Sequence, residues 1–345
     1  MAHEITATDN LFTSNSKAAW HGLGTVFDGY PTKAEAYDAA FGWEPVSEPL
    51  YRKIPVITPE GELREEFEKI ESDELIVRSD NAAVLGTAPS GRGVVSNMEL
   101  FDIAEALEAE SRGDKPMRLE TGGSIRGGER VWLLLRLEEG IKIKNDYRGG
   151  TIPYFALQNG HTRDGGAFKG HAVSTRIVCS NTMKMSDIEA GKRGTEFSFK
   201  HTGKIGERIA EAKQALVYWR HGVTQYEEMM EHLYSIRVND LTKEDFIQMF
   251  IPEPITNSLI SDRVRNNILS ARGEMQTIID SRTSEGFLSA GTLLSASVEW
   301  SQHYKGTRGK SERDRQENRF SRAYLNDSAL TKGAYKILKD LVPSI

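Results

Sequence analysis

The chain has 345 residues, of which 38% are hydrophobic and 27% are charged. This balance is typical of a globular protein and excludes a disordered or low-complexity chain. The chain has a single cysteine, Cys179, which excludes an internal disulfide framework and a cysteine-based zinc site. Proteins of a reducing cytoplasm usually lack disulfides as well. No run approaches the ~20 apolar residues of a membrane span, and the first thirty residues do not resemble a signal peptide. We therefore expect a cytoplasmic protein without a membrane segment.

The net charge of −6 conceals an asymmetry along the chain. Residues 1–150 contain 17 Lys and Arg against 27 Asp and Glu, a net charge of −10, whereas residues 151–345 contain 27 against 23, a net charge of +4. This distribution excludes a nucleic-acid-binding protein that is basic over its whole length. It allows a basic binding surface that is confined to the second half of the chain. The acidic half would then face solvent or protein.

Residues 1–75 are broken by Gly and Pro and are expected to form an irregular N-terminal region with one helix. Thr32 can cap this helix while Glu35 reaches back, as in a T-x-x-E capping box, and the helix then runs to Phe41. The acidic run from Glu60 to Glu74 is interpreted as a solvated face or a mobile loop.

Residues 76–202 are expected to form an α+β core. The pattern predicts a hairpin over 74–77 and 82–86, a helix over 98–110 capped by Asn97, and strands over 131–137, 151–158 and 171–179. The glycines of 122–128 predict a turn before these strands, and a short helix is expected to end at Gly191. The expected fold class is α+β, with an antiparallel sheet of hairpin and three-stranded meander flanked by helices.

Residues 203–345 are expected to form a helical C-terminal domain. Apolar residues recur at helical spacing from Ile205, while Thr224 and Thr242 are interpreted as the starts of two further helices. Later helices are predicted over 259–280, 290–304 and 329–341. Residues 305–322 carry seven basic and three acidic side chains and are interpreted as a basic loop.

Catalytic motifs are weak in this chain, so we expect a non-catalytic protein without a cofactor. The glycines of 122–128 and 306–311 lack both the spacing and the strand-to-helix context of a nucleotide-binding loop. Cys179 shares the apolar face of its predicted strand, which favours packing over a role as nucleophile. His161, Asp164 and His201 could serve a metal-dependent hydrolase or nuclease, although their spacing matches no compact ligand motif.

The predicted meander carries a basic and aromatic set. If the outward faces of its strands align, cations could contact phosphates while rings stack on unpaired bases, the combination that binds single-stranded nucleic acid. An ordinary solvated sheet face is the alternative. The residues expected at such a site are Arg130, Trp132, Arg136, Phe155, Arg163, Lys169, Arg176 and Lys184.

Short motifs recur in a fixed order along almost the whole chain: Trp20-His21-Gly22-Leu23-Gly24, Val77-Arg78-Ser79-Asp80, Leu85-Gly86, Asn97-x-Glu99-x-Phe101, Gly127-Gly128-x-Arg130-Val131-Trp132, Arg176-Ile177-Val178-Cys179-Ser180-Asn181-Thr182 and His201-Thr202. Together they resemble the "phage/plasmid-like protein" family, domain of unknown function 932. One departure is that His161 and Asp164 are separated here, whereas the family has an adjacent His-Asp pair.

The resemblance implies a protein of a phage, plasmid or integrative element in a bacterial cytoplasm, with no established activity. The predicted order of helix, meander and helix is also similar to recombination proteins that anneal single strands, which is an analogy of fold alone. We therefore expect a non-catalytic single-stranded DNA binding or annealing factor that works as a homo-oligomer. The alternatives are the metal-dependent enzyme above and an interaction protein that blocks a host defence through its acidic N-terminal half.

Overall fold

A computed structural model describes residues 11–13, 24–111, 116–144, 146, 151–163, 168–176, 196–198, 204–254, 260–283, 286–306, 315 and 329–345. In chain order the elements are β1 (Leu11–Thr13), β2 (Thr25–Val26), α1 (Lys33–Ala40), β3 (Pro45–Ile57), β4 (Leu63–Arg78), β5 (Val84–Pro89), α2 (Asn97–Ser111), β6 (Met117–Ile125), β7 (Arg130–Leu137), β8 (Thr151–Gly160), β9 (Lys169–Arg176), β10 (Glu196–Ser198), α3 (Ile205–Ser235), α4 (Asp240–Phe250), α5 (Asp262–Thr283), α6 (Ala290–Glu299) and α7 (Ala329–Leu341). They confirm the α+β class and the helical C-terminal region. Within the described ranges, no helix combines the length and the apolar character that crossing a membrane requires.

A seven-stranded sheet of order β10-β9-β8-β7-β6-β1-β2 forms the centre of the fold. Its meander has four strands rather than the expected three, because β6 runs through glycines that we interpreted as a turn. At Gly122 a Cβ atom would lie 2.3 Å from Leu133 and 3.0 Å from Phe12. The glycine therefore serves close packing inside a strand, and the turn is confined to Arg126–Gly128.

One face of this sheet forms the main hydrophobic core. The alternating leucines of β7, from Val131 to Leu137, are buried on this face as their spacing predicts. The predicted stripe of α2 is also confirmed, since Leu100, Ile103, Ala104 and Leu107 are all buried in the same cluster. Beside them α1 begins with the expected capping box between Thr32 and Glu35.

The C-terminal helices correct two predicted starts. Thr224 lies inside α3, a single helix of 31 residues, where its hydroxyl donates to the carbonyl of Arg220. The buried residues Val223, Tyr226 and Met230 lie on both sides of Thr224. Because their packing stabilises a continuous helix, no new helix begins at Thr224 despite its capping motif. The next helix is capped by Asn239, whose side chain accepts from the Thr242 N–H.

The second sheet has the order β3-β4-β5 and contains most of the acidic run. Residues 63–74 form part of β4 rather than a loop, although most of their side chains are exposed as expected. β3 is an edge strand, which is where a sheet tolerates prolines such as Pro49 and Pro55. The expected domain boundary at residue 75 falls within β4.

β5 pairs with β4 only over residues 73–77, so beyond that point β3 and β4 form a two-stranded ribbon. We call residues 50–57 and 63–70, with their connecting turn, the hairpin arm. Its eight cross-strand pairs run from Leu50 and Ile70 to Ile57 and Leu63. None of the arm residues belongs to the main core cluster.

Candidate functional site

Strand register brings part of the predicted nucleic-acid site together. Antiparallel pairing places Trp132 opposite Gln158, Arg136 opposite Tyr154, and Gln158 opposite Lys169. Residues directly opposite each other share a face of the sheet, so these side chains lie on the side away from the leucine core. We call this the polar face, and we define it by Arg130, Trp132, Arg136, Tyr154, Gln158 and Lys169.

The polar face is largely buried, which corrects our expectation of an open stacking surface. Trp132, Tyr154 and Gln158 are buried, and Trp132 has no exposed area. The Arg136 guanidinium donates to the Glu120 carboxylate at 3.2 Å, and the Tyr154 hydroxyl donates to the same carboxylate. Glu120 lies at a register shift in β6. Trp132 is therefore not available to stack on a base in this structure.

The other predicted residues do not join this face. Phe155 pairs with Leu135 and is fully buried in the leucine core, so it was wrongly expected to stack. The Arg163 guanidinium binds the Asp73 carboxylate at 2.6 Å, between the two sheets. Arg176 is the last residue of β9, opposite Thr151. Lys184 and Cys179 lie outside the described residues.

Only one member of the alternative metal site is described. His161 is buried, and its ring lies edge-on to Trp43 with 5.6 Å between centroids. Asp164 and His201 lie outside the described residues. Within the residues that the structure describes, no group of three His, Cys, Asp or Glu side chains is placed to hold a metal ion.

A second cluster, which sequence analysis did not predict, lies where the two sheets meet. The Arg78 guanidinium lies 4.4 Å from the centre of the Trp43 ring. It also binds both carboxylate oxygens of Asp80, at 2.9 and 2.7 Å, and donates to the Gly127 carbonyl at 3.1 Å. We call this cluster the joint, and we define it by Trp43, Arg78, Gly86, Arg92, Gly128 and His161.

Two glycines let the backbones approach closely at the joint. A Cβ atom on Gly128 would lie 2.7 Å from the Trp43 ring, and one on Gly86 would lie 2.9 Å from the Thr162 side chain. Arg92 completes the joint from the hairpin side, because it donates to the carbonyls of Thr162 and Gly160 at 2.6 and 3.0 Å. These contacts hold the root of the arm against the end of β8.

Three of the family-like motifs meet at this joint. Arg78, Gly86 and Gly128 come from separate motifs, and each contacts a residue that no motif contains, either Trp43 or Thr162. Sequence analysis missed Trp43 and Arg92 because their partners lie more than thirty residues away along the chain. The joint contains cations, aromatic rings and close backbone contacts, and it has no nucleophile beside a base among the residues that define it. We therefore interpret it as a structural contact that fixes the base of the arm against the central sheet.

The start of α2 is tied to the same region by Glu44. Its carboxylate accepts the backbone N–H groups of Asn97 at 2.6 Å and Met98 at 3.1 Å, and the Tyr37 hydroxyl at 2.7 Å. A carboxylate at a helix N-terminus also interacts favourably with the helix dipole. Asn97, predicted as the cap, instead donates its side-chain amide to the Trp43 carbonyl at 2.8 Å.

Tyr37 gives a prediction for alkaline pH. Burial and its hydrogen bond to Glu44 raise the pKa of Tyr37 above the ordinary tyrosine value. An unfolded tyrosine ionises near pH 10, so the stabilisation by Tyr37 is complete below about pH 10 and is lost as the pH rises further. Melting temperatures should therefore fall more steeply above about pH 10 for the wild type than for Tyr37→Phe. Parallel curves for the two proteins would contradict this role.

The fold and the joint define an α+β protein with a hairpin arm mounted on a central sheet. A family model described as "Domain of unknown function (DUF932)" matches residues 85–324, which is more than half of the chain. The chain therefore belongs to that family, as its motifs indicated. No curated protein and no solved structure matches it.

Proposed function

We propose that the protein is a non-catalytic single-stranded DNA binding or annealing factor of a phage or another mobile element, acting in the bacterial cytoplasm. The observation that carries the proposal is the register of the meander, which gathers Arg130, Arg136 and Lys169 on one face. Of these cations, Lys169 belongs to the half of the chain with a net charge of +4, whereas Arg130 and Arg136 lie near the end of the acidic half. Phosphate contacts supply most of the affinity of such proteins.

The burial of Trp132 and Phe155 limits what the face can recognise. Without rings available for stacking, binding would depend on cations and phosphates and would discriminate weakly between bases. Arg136 is a poor residue to test, because its removal would leave the half-buried Glu120 carboxylate without its cation. Arg130 and Lys169 are half-buried and are the first residues of their strands, so they are the variants we choose.

A salt titration tests this proposal. We expect filter binding of a labelled thymidine oligonucleotide at micromolar protein and about 50 mM salt, with affinity falling steeply by about 200 mM. Arg130→Gln and Lys169→Gln should each reduce the slope of log affinity against log salt by about 0.7, the value for one phosphate contact on a single strand.

Lys213→Gln is a matched control, since it removes one positive charge from α3. The Lys213 ammonium binds Glu110 at 2.9 Å, on the helical side of the molecule rather than on the polar face. It should leave the slope unchanged. No retention at about 50 mM salt, or equal slopes for the control and the two polar-face variants, would contradict the proposal.

A further inference from the structure

The two strands of the arm lose their regular pairing where the arm joins the rest of the second sheet. Pro49 lies opposite Glu74, but the next residue of β3, Leu50, lies opposite Ile70. Residues 71–73 of β4 therefore have no partner on β3 and form a bulge. A bulge disrupts the ladder of hydrogen bonds and bends its strand. The arm is thus connected to its base through an irregular segment.

The two sides of this bulge are held differently. On the side of the arm, eight residue pairs follow without a further register shift, and ion pairs such as Lys53 with Glu65 cross the two strands. On the other side, β4 lies between β3 and β5, and the joint fixes this part against the central sheet. A regular ribbon is therefore attached to a fixed base. Because a few residues at the end of an element commonly form a hinge, bending is expected at the bulge.

One carboxylate connects the bulge to the central sheet. Asp73 accepts a hydrogen bond from the Ser72 hydroxyl at 2.8 Å and another from the Arg163 guanidinium at 2.6 Å. Arg163 lies just past the end of β8, and its backbone N–H donates to the Thr87 carbonyl of β5 at 2.9 Å. Asp73 therefore ties the bulge to the end of a strand of the central sheet. We call the ion pair of Asp73 and Arg163 the latch.

The latch is open to solvent. The Arg163 side chain is 59% exposed, and the Asp73 side chain is 23% exposed. Exposed ion pairs contribute little to stability, and salt screens them. The latch can therefore open without loss of the fold. An anion in solution can reach Arg163, and a phosphate group suits its guanidinium because it can accept two parallel hydrogen bonds.

We propose that the arm is a hinged element that bends at residues 71–73, and that the latch holds this hinge closed. A phosphate group that binds Arg163 would take the place of the Asp73 carboxylate and release the arm. This release step rests on the proposed function, because Arg163 is one of the residues expected to contact single-stranded DNA. The direction of the arm would then depend on whether DNA is bound.

Distances between spin labels on the arm and on the central sheet test the hinge. The labels are attached at Glu60→Cys, in the tip of the arm, and at Glu139→Cys, just after β7, in a chain with Cys179→Ser. Pulsed electron paramagnetic resonance should give a narrow distance distribution for the intact latch. Asp73→Asn should raise the population outside that peak about two- to fivefold, the effect of losing one exposed ion pair. Arg163→Gln should have the same effect, because it removes the other partner.

Glu71→Gln is the matched control, since it removes the same charge from the same bulge. The Glu71 carboxylate binds Lys69 of the arm at 2.8 Å and not the central sheet. Its distribution should stay narrow, and circular dichroism checks that every variant is folded. Equal widths for the intact latch and for Asp73→Asn would overturn the hinge. Equal broadening in Asp73→Asn and Glu71→Gln would assign the effect to the charge of the bulge and overturn the latch.

A thymidine oligonucleotide tests the release step. At a concentration that gives retention in filter binding, it should broaden the distribution of the intact latch, whereas Asp73→Asn should broaden no further. Retention without broadening would overturn the release step and leave the proposed function intact. Without retention, the release step fails together with the proposed function, and the comparison of Asp73→Asn with Glu71→Gln still decides whether the hinge exists.

Discussion

Alanine in place of Gly128 should lower the free energy of unfolding by about 3 kcal/mol, because the position combines a left-handed backbone with no room for a side chain. Its φ angle is +109°, and a Cβ atom would lie 2.7 Å from the Trp43 ring and 3.3 Å from Leu85. Trp43 is fully buried and also contacts Arg78 and His161, so the ring has little freedom to move aside. Urea denaturation at equilibrium measures the loss.

Gly127 is the matched control, since it precedes Gly128 in the same turn. Its φ angle is +69°, but no atom lies within 4 Å of its Cβ position. Gly127→Ala should therefore cost about 1 kcal/mol, the penalty of the left-handed backbone alone. Equal losses in the two variants would show that the joint is not tightly packed around Trp43.

The parts of the fold that sequence predicted are those with a local signal. The capping box of Thr32 and Glu35 lies within four residues, and the stripe of α2 repeats at a spacing that only a helix satisfies. The alternation within β7 likewise identifies its buried face. In each case the residues that define the element are neighbours along the chain.

The errors arise where distant contacts override a local signal. The glycines of β6 look like a turn, yet Gly122 is required by the approach of Phe12, over a hundred residues earlier in the chain. The charges of β4 suggest a solvated face or a mobile loop, and the solvated face is what forms, because cross-strand pairs such as Lys53 with Glu65 and Arg52 with Glu68 suit an exposed ribbon. Thr224 carries a capping signal that the packing of α3 overrides.

The candidate site was predicted in part for the same reason. Alternation within one strand correctly places Trp132 and Arg136 together, but it cannot say which residues of β8 join them. That depends on the register between the strands, which pairs Leu135 with Phe155 and so directs Phe155 into the core. The joint depends on contacts between separate elements, so neither Trp43 nor Arg92 carries a local signal.

The second large loss in the free energy of unfolding is expected when a buried ion pair between α5 and α6 is broken. The side chains of Arg282 and Glu299 are only 4% and 11% exposed, and the Nε and Nη2 atoms of Arg282 both donate to one Glu299 oxygen, at 2.9 and 2.6 Å. Glu299→Ala should cost about 3–5 kcal/mol, because it leaves a charged guanidinium in the interior without its carboxylate. Urea denaturation measures this as well.

Two further variants separate charge from packing at this pair. Arg282→Met combined with Glu299→Leu should recover much of the lost stability, since two apolar side chains need no partner charge. Arg52→Ala removes one partner of an exposed pair with Glu68 on the arm, and it should cost less than about 1 kcal/mol. If Glu299→Ala costs no more than Arg52→Ala, the buried ion pair does not stabilise the contact between α5 and α6.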